Sequence, residues 1–140
     1  MIFSKTCQYA IWAMVELARH YQAGNGQKKI KAHEIAKQLD LPFPMVAKVL
    51  QMLAQAQLAD SGRGPQGGFR LLRDPAEITL LDIMVAIDGP GLLEKCVLGL
   101  PMCNENNPCP AHFMWDQARQ HVRSFLQSAT LDKLVGAPKS

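Results

Sequence analysis

Apolar residues recur at helical spacing along the first part of the chain. This spacing places them on one face of an amphipathic helix. Residues 4–21 predict a first helix, whose apolar stripe comprises Cys7, Ala10, Ile11, Met14, Leu17, Ala18 and Tyr21. A short second helix is predicted over residues 32–39. A third is predicted over residues 45–57, with an inward face made by Val46, Val49, Leu50 and Leu53.

The second and third predicted helices are joined by a tight turn. Pro42 and Pro44 cannot lie inside a helix, although Pro44 suits a first helical turn. Two short helices joined in this way are typical of a helix-turn-helix. Residues 58–61 and 69–73 can then pair as strands around residues 62–68, which hold four glycines and one proline. A hairpin directly after a helix-turn-helix indicates a winged helix.

Two further helices are predicted beyond the hairpin. Thr79 is a candidate N-cap with Asp82 at the capping-box position, and Gly89 is a natural helix stop. A long helix of about 20 residues is expected to start at Cys109–Pro110. Its apolar stripe comprises Met114, Ala118, Val122, Phe125 and Ala129.

The long last helix needs a partner for its apolar stripe. A symmetric homodimer is the simplest partner, and folding back onto the first helix is the alternative. The predicted fold is mainly α with a small β-hairpin wing, a winged helix-turn-helix plus a long C-terminal dimerisation helix. Within one compact unit, we expect a DNA-binding region at 1–75, a linking helix and cysteine loop at 76–108, and the dimerisation helix at 109–140, where residues 137–140 form a tail.

Charge is distributed unevenly along the chain. Residues 1–75 carry ten Lys and Arg against five Asp and Glu, whereas residues 76–140 carry five against seven. A basic half suits a polyanion such as DNA, and an ordinary solvated surface is the alternative. No apolar run reaches the ~20 residues of a membrane span, and the N-terminus lacks a signal-peptide layout. We therefore expect a cytoplasmic protein without a membrane partner.

Three of the four cysteines lie in one loop with the spacing C-x6-C-x5-C-x2-H, formed by Cys96, Cys103, Cys109 and His112. Clustered cysteines in a reducing compartment indicate metal or redox chemistry. Three thiolates and an imidazole can bind Zn²⁺, iron or an iron–sulfur cluster. The wide gaps, without a C-x-x-C pair, favour a cluster over a single ion. Cys109 at the predicted helix start would have its thiolate stabilised by free N–H groups.

Enzyme function is not expected. The chain has no C-x-x-C motif, no Gly-rich phosphate loop after a strand, and no convincing nucleophile–base pair. Cys7 lies on the apolar stripe of the first helix, so it is either a buried core residue or a further functional cysteine. His112 is either a metal ligand or an ordinary residue at a helix start.

Several strings together resemble a known family. They are Ser4-Lys-Thr-Cys-Gln-Tyr-Ala-Ile11, Gly62-Arg-Gly-Pro-Gln-Gly-Gly-Phe-Arg-Leu71 and Cys109-Pro-Ala-His112-Phe-Met-Trp115, together with the three loop cysteines. The chain resembles bacterial iron–sulfur-sensing winged-helix regulators of the IscR/NsrR/RirA type over nearly its whole length. The resemblance implies a homodimeric transcription regulator, expected to be a repressor, that binds double-stranded promoter DNA and senses redox state or nitric oxide.

The resemblance also implies ligands for an iron–sulfur cluster, either [2Fe–2S] or [4Fe–4S]. Cys96, Cys103 and Cys109 correspond to the family's three ligands, and His112 matches the additional histidine of IscR-like members. NsrR-like members use an acidic residue near the partner's N-terminus, where this chain has Gln8. The first gap of six residues is one longer than usual. A regulator of the same fold that uses zinc or direct cysteine redox chemistry is the alternative.

The same resemblance implies positions for a DNA interface. Pro44, Met45 and Lys48, at the start of the third helix, correspond to residues in the major groove. Arg63 of the wing corresponds to a residue in the minor groove, where a narrow, negative groove attracts arginine. The remaining expected contacts are to phosphates, which position rather than specify, and they come from Lys5, Gln66 and Arg70.

Overall fold

The structure, a computed structural model, describes residues 2–137. Within this range the α-helices are α1 (Lys5–His20), α2 (Ala32–Leu39), α3 (Phe43–Gln55), α4 (Leu80–Asp88), α5 (Gly91–Glu94), α6 (His112–Ser128) and α7 (Leu131–Leu134). A π-helical turn (Tyr21–Asn25) extends α1, and a 3-10 turn (Pro75–Glu77) precedes α4. The strands are β1 (Ala59–Gly62) and β2 (Gly68–Leu71). No helix in the described part of the chain is both long and apolar enough to cross a bilayer.

Helix α1 is the centre of the core, because α2, α3, α4 and α7 all pack against it. Met14 and Leu17 of α1 meet Leu50 of α3 and Ile83 of α4 in a single apolar cluster, and all four are fully buried. Burial of each such side chain contributes about 1.5–3 kcal/mol. The predicted stripe of α1 is confirmed, and Cys7 belongs to this core.

The turn between α2 and α3 is held by backbone conformation. Helix α2 ends at Asp40, which adopts a left-handed conformation with φ 54°. Pro42 caps α3 with an extended backbone, and Pro44 lies in its first turn, where a missing N–H costs no helical hydrogen bond. The predicted inward residues of α3 are buried, so its opposite face, with Lys48, is exposed.

The wing is a two-stranded antiparallel hairpin. Its register pairs Ala59 with Leu71 and Gly62 with Gly68. Ile30 joins from the segment before α2: its N–H donates to the Phe69 carbonyl at 2.9 Å, and its own carbonyl accepts from the Phe69 N–H at 2.8 Å. The predicted winged helix is confirmed, with a third backbone segment beside the hairpin.

A capping box starts α4, as predicted. The Thr79 hydroxyl accepts from the Asp82 N–H at 3.1 Å, and an Asp82 carboxylate oxygen accepts from the Thr79 N–H at 3.0 Å. Thr79 also faces Thr130 in an antiparallel bridge, so the C-terminal segment is attached to the start of α4.

Replacement of Thr79 by alanine is expected to lower the free energy of unfolding by about 1 kcal/mol, because an N–H of the first turn loses its acceptor. For a chain of this size we expect the melting temperature to fall by about 3 °C, measured by circular dichroism. Thr79→Ser keeps the hydroxyl and serves as the control. Equal melting of Thr79→Ala and wild type would contradict this role.

Helix α6 differs from the prediction at its start. It begins at His112 and not at Cys109–Pro110, so Cys109 lies three residues before the helix. Leu126 is fully buried, but Met114 and Phe125 of the predicted stripe are 69% and 53% exposed. The described residues end at 137, so most of the predicted 137–140 tail lies outside them.

Candidate metal centre and DNA-binding surface

The structure brings the three loop cysteines together. The Sγ atoms of Cys96, Cys103 and Cys109 all lie within 4.8 Å of one another. The Cys96 and Cys109 sulfurs are 3.7 Å apart. Each residue is half-buried, so the three sulfurs share a partly sheltered surface site.

A tight turn between Cys103 and Cys109 creates this convergence. Asn104 and Asn107 exchange backbone hydrogen bonds of 3.2 and 3.1 Å, which reverse the chain. The Asn104 side chain also accepts from the Asn106 and Asn107 N–H groups, as asparagine does in Asx turns. As a result Cys109 donates its backbone N–H to the Cys103 sulfur at 3.3 Å.

His112 lies beside the cysteines. Its Nδ1 atom is 3.4 Å from the Cys103 sulfur, and its ring packs edge-on against Phe113. The structure therefore places the predicted fourth ligand next to Cys103, at the first residue of α6. Among the described residues, the group of donor atoms that all lie within 4.8 Å of one another contains the three sulfurs without His112.

Helix α6 holds the chain immediately before Cys96. Trp115 donates its indole N–H to the Lys95 carbonyl at 3.2 Å. Arg119 donates to the Leu93 carbonyl at 3.1 Å. Sequence reasoning did not identify this contact of Trp115, although an indole N–H usually finds an acceptor when it is sheltered.

Trp115 and Arg119 line a cavity of about 220 Å³, together with all three loop cysteines and His112. The donor set of three thiols and one imidazole fits zinc, iron or an iron–sulfur cluster. Bonds of 2.3 Å around a tetrahedral ion place two sulfurs about 3.8 Å apart, close to the observed Cys96–Cys109 distance. If the cysteine sulfurs instead bound different irons of a cluster, they would have to lie farther apart, and the same loop would have to rearrange.

The thiols of this site differ in acidity. Hydrogen bonding from the Leu100 N–H, aided by the Leu98 N–H and the neighbouring thiols, lowers the pKa of Cys96 to about 7. For Cys103, the Cys109 N–H favours the thiolate, but partial burial and the neighbouring sulfurs outweigh it and raise the pKa. Cys96 is therefore the more nucleophilic of these two thiols at neutral pH.

In metal-free protein we expect iodoacetamide to alkylate Cys96 faster than Cys103. Because the Cys96 pKa is lowered, about half of its thiol is ionised at pH 7. Its labelling rate should level off above pH 7 and fall about tenfold per pH unit well below it, as the thiolate takes up a proton. Peptide mass spectrometry measures both sites in one sample. Equal rates for Cys96 and Cys103 from pH 6 to pH 9 would contradict the assignment.

The fourth cysteine lies outside this site. Cys7 is fully buried in α1, and burial together with the nearby Asp88 carboxylate raises the pKa of its thiol to about 12. Asp88 ends α4 and accepts from the Ser4 N–H at 3.0 Å and from the Ser4 hydroxyl. Ser4 in turn caps α1. The segment that leads into the cysteine loop is thus attached to the start of α1.

The predicted DNA-contact residues fall on two exposed features. Pro44 and Lys48 are exposed near the start of α3, and Met45 is partly buried beside them. Arg63 and Gln66 are exposed at the tip of the wing.

Two predicted phosphate contacts have neighbours within the chain. The Lys5 ammonium lies 5.6 Å from the centre of the Tyr9 ring. The Arg70 guanidinium donates to Asp60 at 3.0 Å and to the Gln27 carbonyl at 2.9 Å, so much of its donor capacity is used internally.

Comparison with known proteins agrees with this architecture. A relative from Aquifex aeolicus (strain VF5) carries the name HTH-type transcriptional regulator and is 34% identical over 137 residues, 96% of this chain and 92% of the relative. The structure of CymR, the global cysteine regulator of B. subtilis, superposes with a TM-score of 0.78 at 26% identity and covers 97% of both chains. T. potens IscR gives a TM-score of 0.71 at 26% identity, covering 94% of this chain and 84% of IscR.

A family model extends this agreement to almost every described residue. The model of the Rrf2 family, described as iron-dependent transcriptional regulator, matches residues 3–137. That range includes the helix-turn-helix, the wing, the three-cysteine site and α6. The chain is therefore a transcriptional regulator that belongs to the Rrf2 family.

Proposed function

We propose that this protein is a homodimeric repressor whose affinity for promoter DNA depends on an iron–sulfur cluster. The observation that carries the proposal is the convergence of Cys96, Cys103 and Cys109 within 4.8 Å beside His112. These four residues would hold the cluster. When bound, it would supply a group whose oxidation, loss or nitrosylation changes the charge and shape of the loop.

Two observations support a cluster over other occupants. The gaps of six and five residues between the cysteines lack the paired knuckles common in structural zinc sites. The family model carries the description iron-dependent, and T. potens IscR shares the fold. Arg119 also lines this cavity, but it forms an ion pair with Asp116 and does not distinguish a cluster from zinc.

Contacts on both sides of the loop suggest how its state reaches the DNA-binding region. On one side, Trp115 and Arg119 connect the residues before Cys96 to α6. On the other side, Asp88 connects the end of α4 to Ser4 at the start of α1, which packs against α3. A ligand shifts such an equilibrium only through different affinities for the two arrangements. If the loop has one conformation with the cluster and another without it, occupancy of the site would therefore bias the position of α3.

The proposed dimer uses the exposed face of α6. Phe113, Met114 and Phe125 are 64%, 69% and 53% exposed, and large apolar side chains grouped in this way mark interaction surfaces. A second copy placed on a two-fold axis would bury this face and present two α3 helices to the two halves of a palindromic site. Pro44, Met45, Lys48 and Arg63 would contact bases, and Lys5 and Gln66 would contact phosphates.

A second candidate function is direct thiol or zinc regulation. The 3.7 Å between the Cys96 and Cys109 sulfurs suits one tetrahedral ion. After a small movement, a peroxide could also oxidise the two thiols to a disulfide, and the peroxide would be reduced to water. The structural similarity to a global cysteine regulator agrees with this second candidate.

One preparation distinguishes the two candidates. Protein purified without oxygen is assayed for iron, acid-labile sulfide and zinc, and its visible absorption is recorded. Near-equal iron and sulfide with a visible chromophore would support the cluster. Zinc, or colourless protein after attempted reconstitution with iron and sulfide, would replace it with the second candidate. DNA affinity of the same samples, measured at several salt concentrations, tests regulation.

A further inference from the structure

The wing is attached to the segment Gln27–Lys31, which precedes α2. The Ile30–Phe69 backbone bridge brings the two together, and glycines allow a very close approach. A Cβ at Gly68 would lie 2.5 Å from the Ile30 carbonyl oxygen, and Gly68 has φ +120°, a conformation that other residues rarely adopt. The segment and the hairpin therefore pack at backbone distance.

Cationic side chains reinforce this attachment at both ends of the hairpin. The Lys31 ammonium donates to the Gly64 carbonyl at the wing tip, at 2.6 Å. The same carbonyl accepts the Gly67 N–H at 2.9 Å, so Lys31 bonds directly to the turn that carries the exposed Arg63. Near the base, Arg70 connects Asp60 of the opposite strand to Gln27 through bonds of 2.8–3.0 Å.

We infer that Lys31 and Arg70 are positioning residues for DNA binding: they hold the wing, and with it Arg63, against segment 27–31, and they do not bind phosphates. The inference rests on the proposed DNA-binding function and proposes for Arg70 a role other than the expected phosphate contact. Its basis is the direction of these cations, which point into the chain.

The physical need for such a brace follows from the size of the hairpin. Each strand has four residues, and an isolated two-stranded hairpin is marginally stable in water. A mobile wing would have to become ordered on DNA, and that loss of conformational entropy would reduce affinity. A wing held in place before binding avoids this loss.

Lys28 provides a matched control. It belongs to the same segment and lines the same groove of about 810 Å³ between the segment, α2 and the wing. It is exposed, and its ammonium takes part in none of the hydrogen bonds or ion pairs found among residues 2–137. Lys28→Met and Lys31→Met remove the same charge from neighbouring positions, so a purely electrostatic effect would affect both alike.

The experiment first measures the wing without DNA. Amide hydrogen exchange of Gly67 and Phe69 is compared in wild type, Lys28→Met, Lys31→Met and Lys31→Arg. We expect exchange at Gly67 to accelerate at least tenfold in Lys31→Met alone, and to return towards wild type in Lys31→Arg. Unchanged exchange in Lys31→Met would overturn the inference whatever the protein binds. Arg70→Gln repeats the test from the returning strand.

The second measurement uses a DNA duplex that the wild-type protein selects from a random-sequence pool. We expect Lys31→Met to weaken binding about tenfold in the wild-type background and less than twofold in an Arg63→Ala background, because both changes act through one contact. If Lys31→Met instead weakens binding by the same factor in both backgrounds, the two residues act independently. If Lys31→Met also lowers the slope of log affinity against log salt by about 0.9 in the Arg63→Ala background, Lys31 contacts a phosphate, and the inference is overturned. Failure of the wild type to select any duplex would refute the proposed function, whereas the exchange result would still decide whether Lys31 braces the wing.

Discussion

Cys103→Ala is expected to remove iron and sulfide from the purified protein and to change its affinity for promoter DNA. Cys103 is the central member of the site, because its sulfur contacts His112 at 3.4 Å and the Cys109 N–H at 3.3 Å. Loss of this thiol removes one ligand and also the acceptor that holds Cys109 in place. We expect affinity to change about tenfold, in the range of typical allosteric coupling energies.

The control for this variant is Cys7→Ala. It removes a thiol from the core, outside the cysteine site, and should leave iron and sulfide content unchanged while it lowers stability by about 1 kcal/mol. Iron and sulfide assays, visible absorption and DNA binding are measured on both variants. Retention of the metal together with wild-type affinity in Cys103→Ala would show that the loop is not the sensor.

Phe125→Glu is expected to convert the dimer to monomers and to weaken binding to a palindromic duplex by about 100-fold or more, because the second half-site loses the advantage of a linked partner. Phe125 is half-exposed on the face of α6 that also carries Met114. A charge placed there would be buried against its symmetry-related copy without a counter-ion. Light scattering measures the mass in solution, and titration of the duplex measures affinity.

Gln127→Glu makes a similar change in charge two residues further along α6, where Gln127 is exposed. Gln127 lies about 160° around the helix from Phe125 and about 20 Å along the axis from Phe113. This variant should remain dimeric and bind DNA close to normally, apart from a small effect of charge. Dimeric Phe125→Glu with normal affinity would exclude this face of α6 as the interface.

Most of the elements up to residue 90 could be predicted because local pattern and packing agree there, although α3 spans Phe43–Gln55 and not the predicted 45–57. The stripe of α1, the inward face of α3 and the capping box at Thr79 each express a short-range rule, and tertiary packing reinforces them. The glycines of the wing were equally informative, because positive φ at Gly64 and Gly68 is required by the turn and by the close approach of Ile30.

The start of α6 could not be predicted in the same way. Pro110 is a good first helical residue on local grounds, yet the Cys109 N–H bonds the Cys103 sulfur and the Cys109 carbonyl accepts from His112 as the chain turns before the helix. Similarly, the contact between Arg70 and Gln27 spans 43 residues, and no local pattern indicates it. The Asp88–Ser4 contact spans 84 residues, and no sequence periodicity reports such pairs.

Because Cys7 is buried in the core, chemical modification of its thiol reports local unfolding at the start of α1. A thiol that is fully buried and holds its proton up to a pKa of about 12 cannot be modified while α1 is docked. Modification must wait until the start of α1 leaves Asp88 and the core, so its rate under native conditions gives the free energy of that local opening. Comparison of this rate with and without a metal in the loop would show whether occupancy of the cysteine site tightens the anchorage of α1, without any use of DNA.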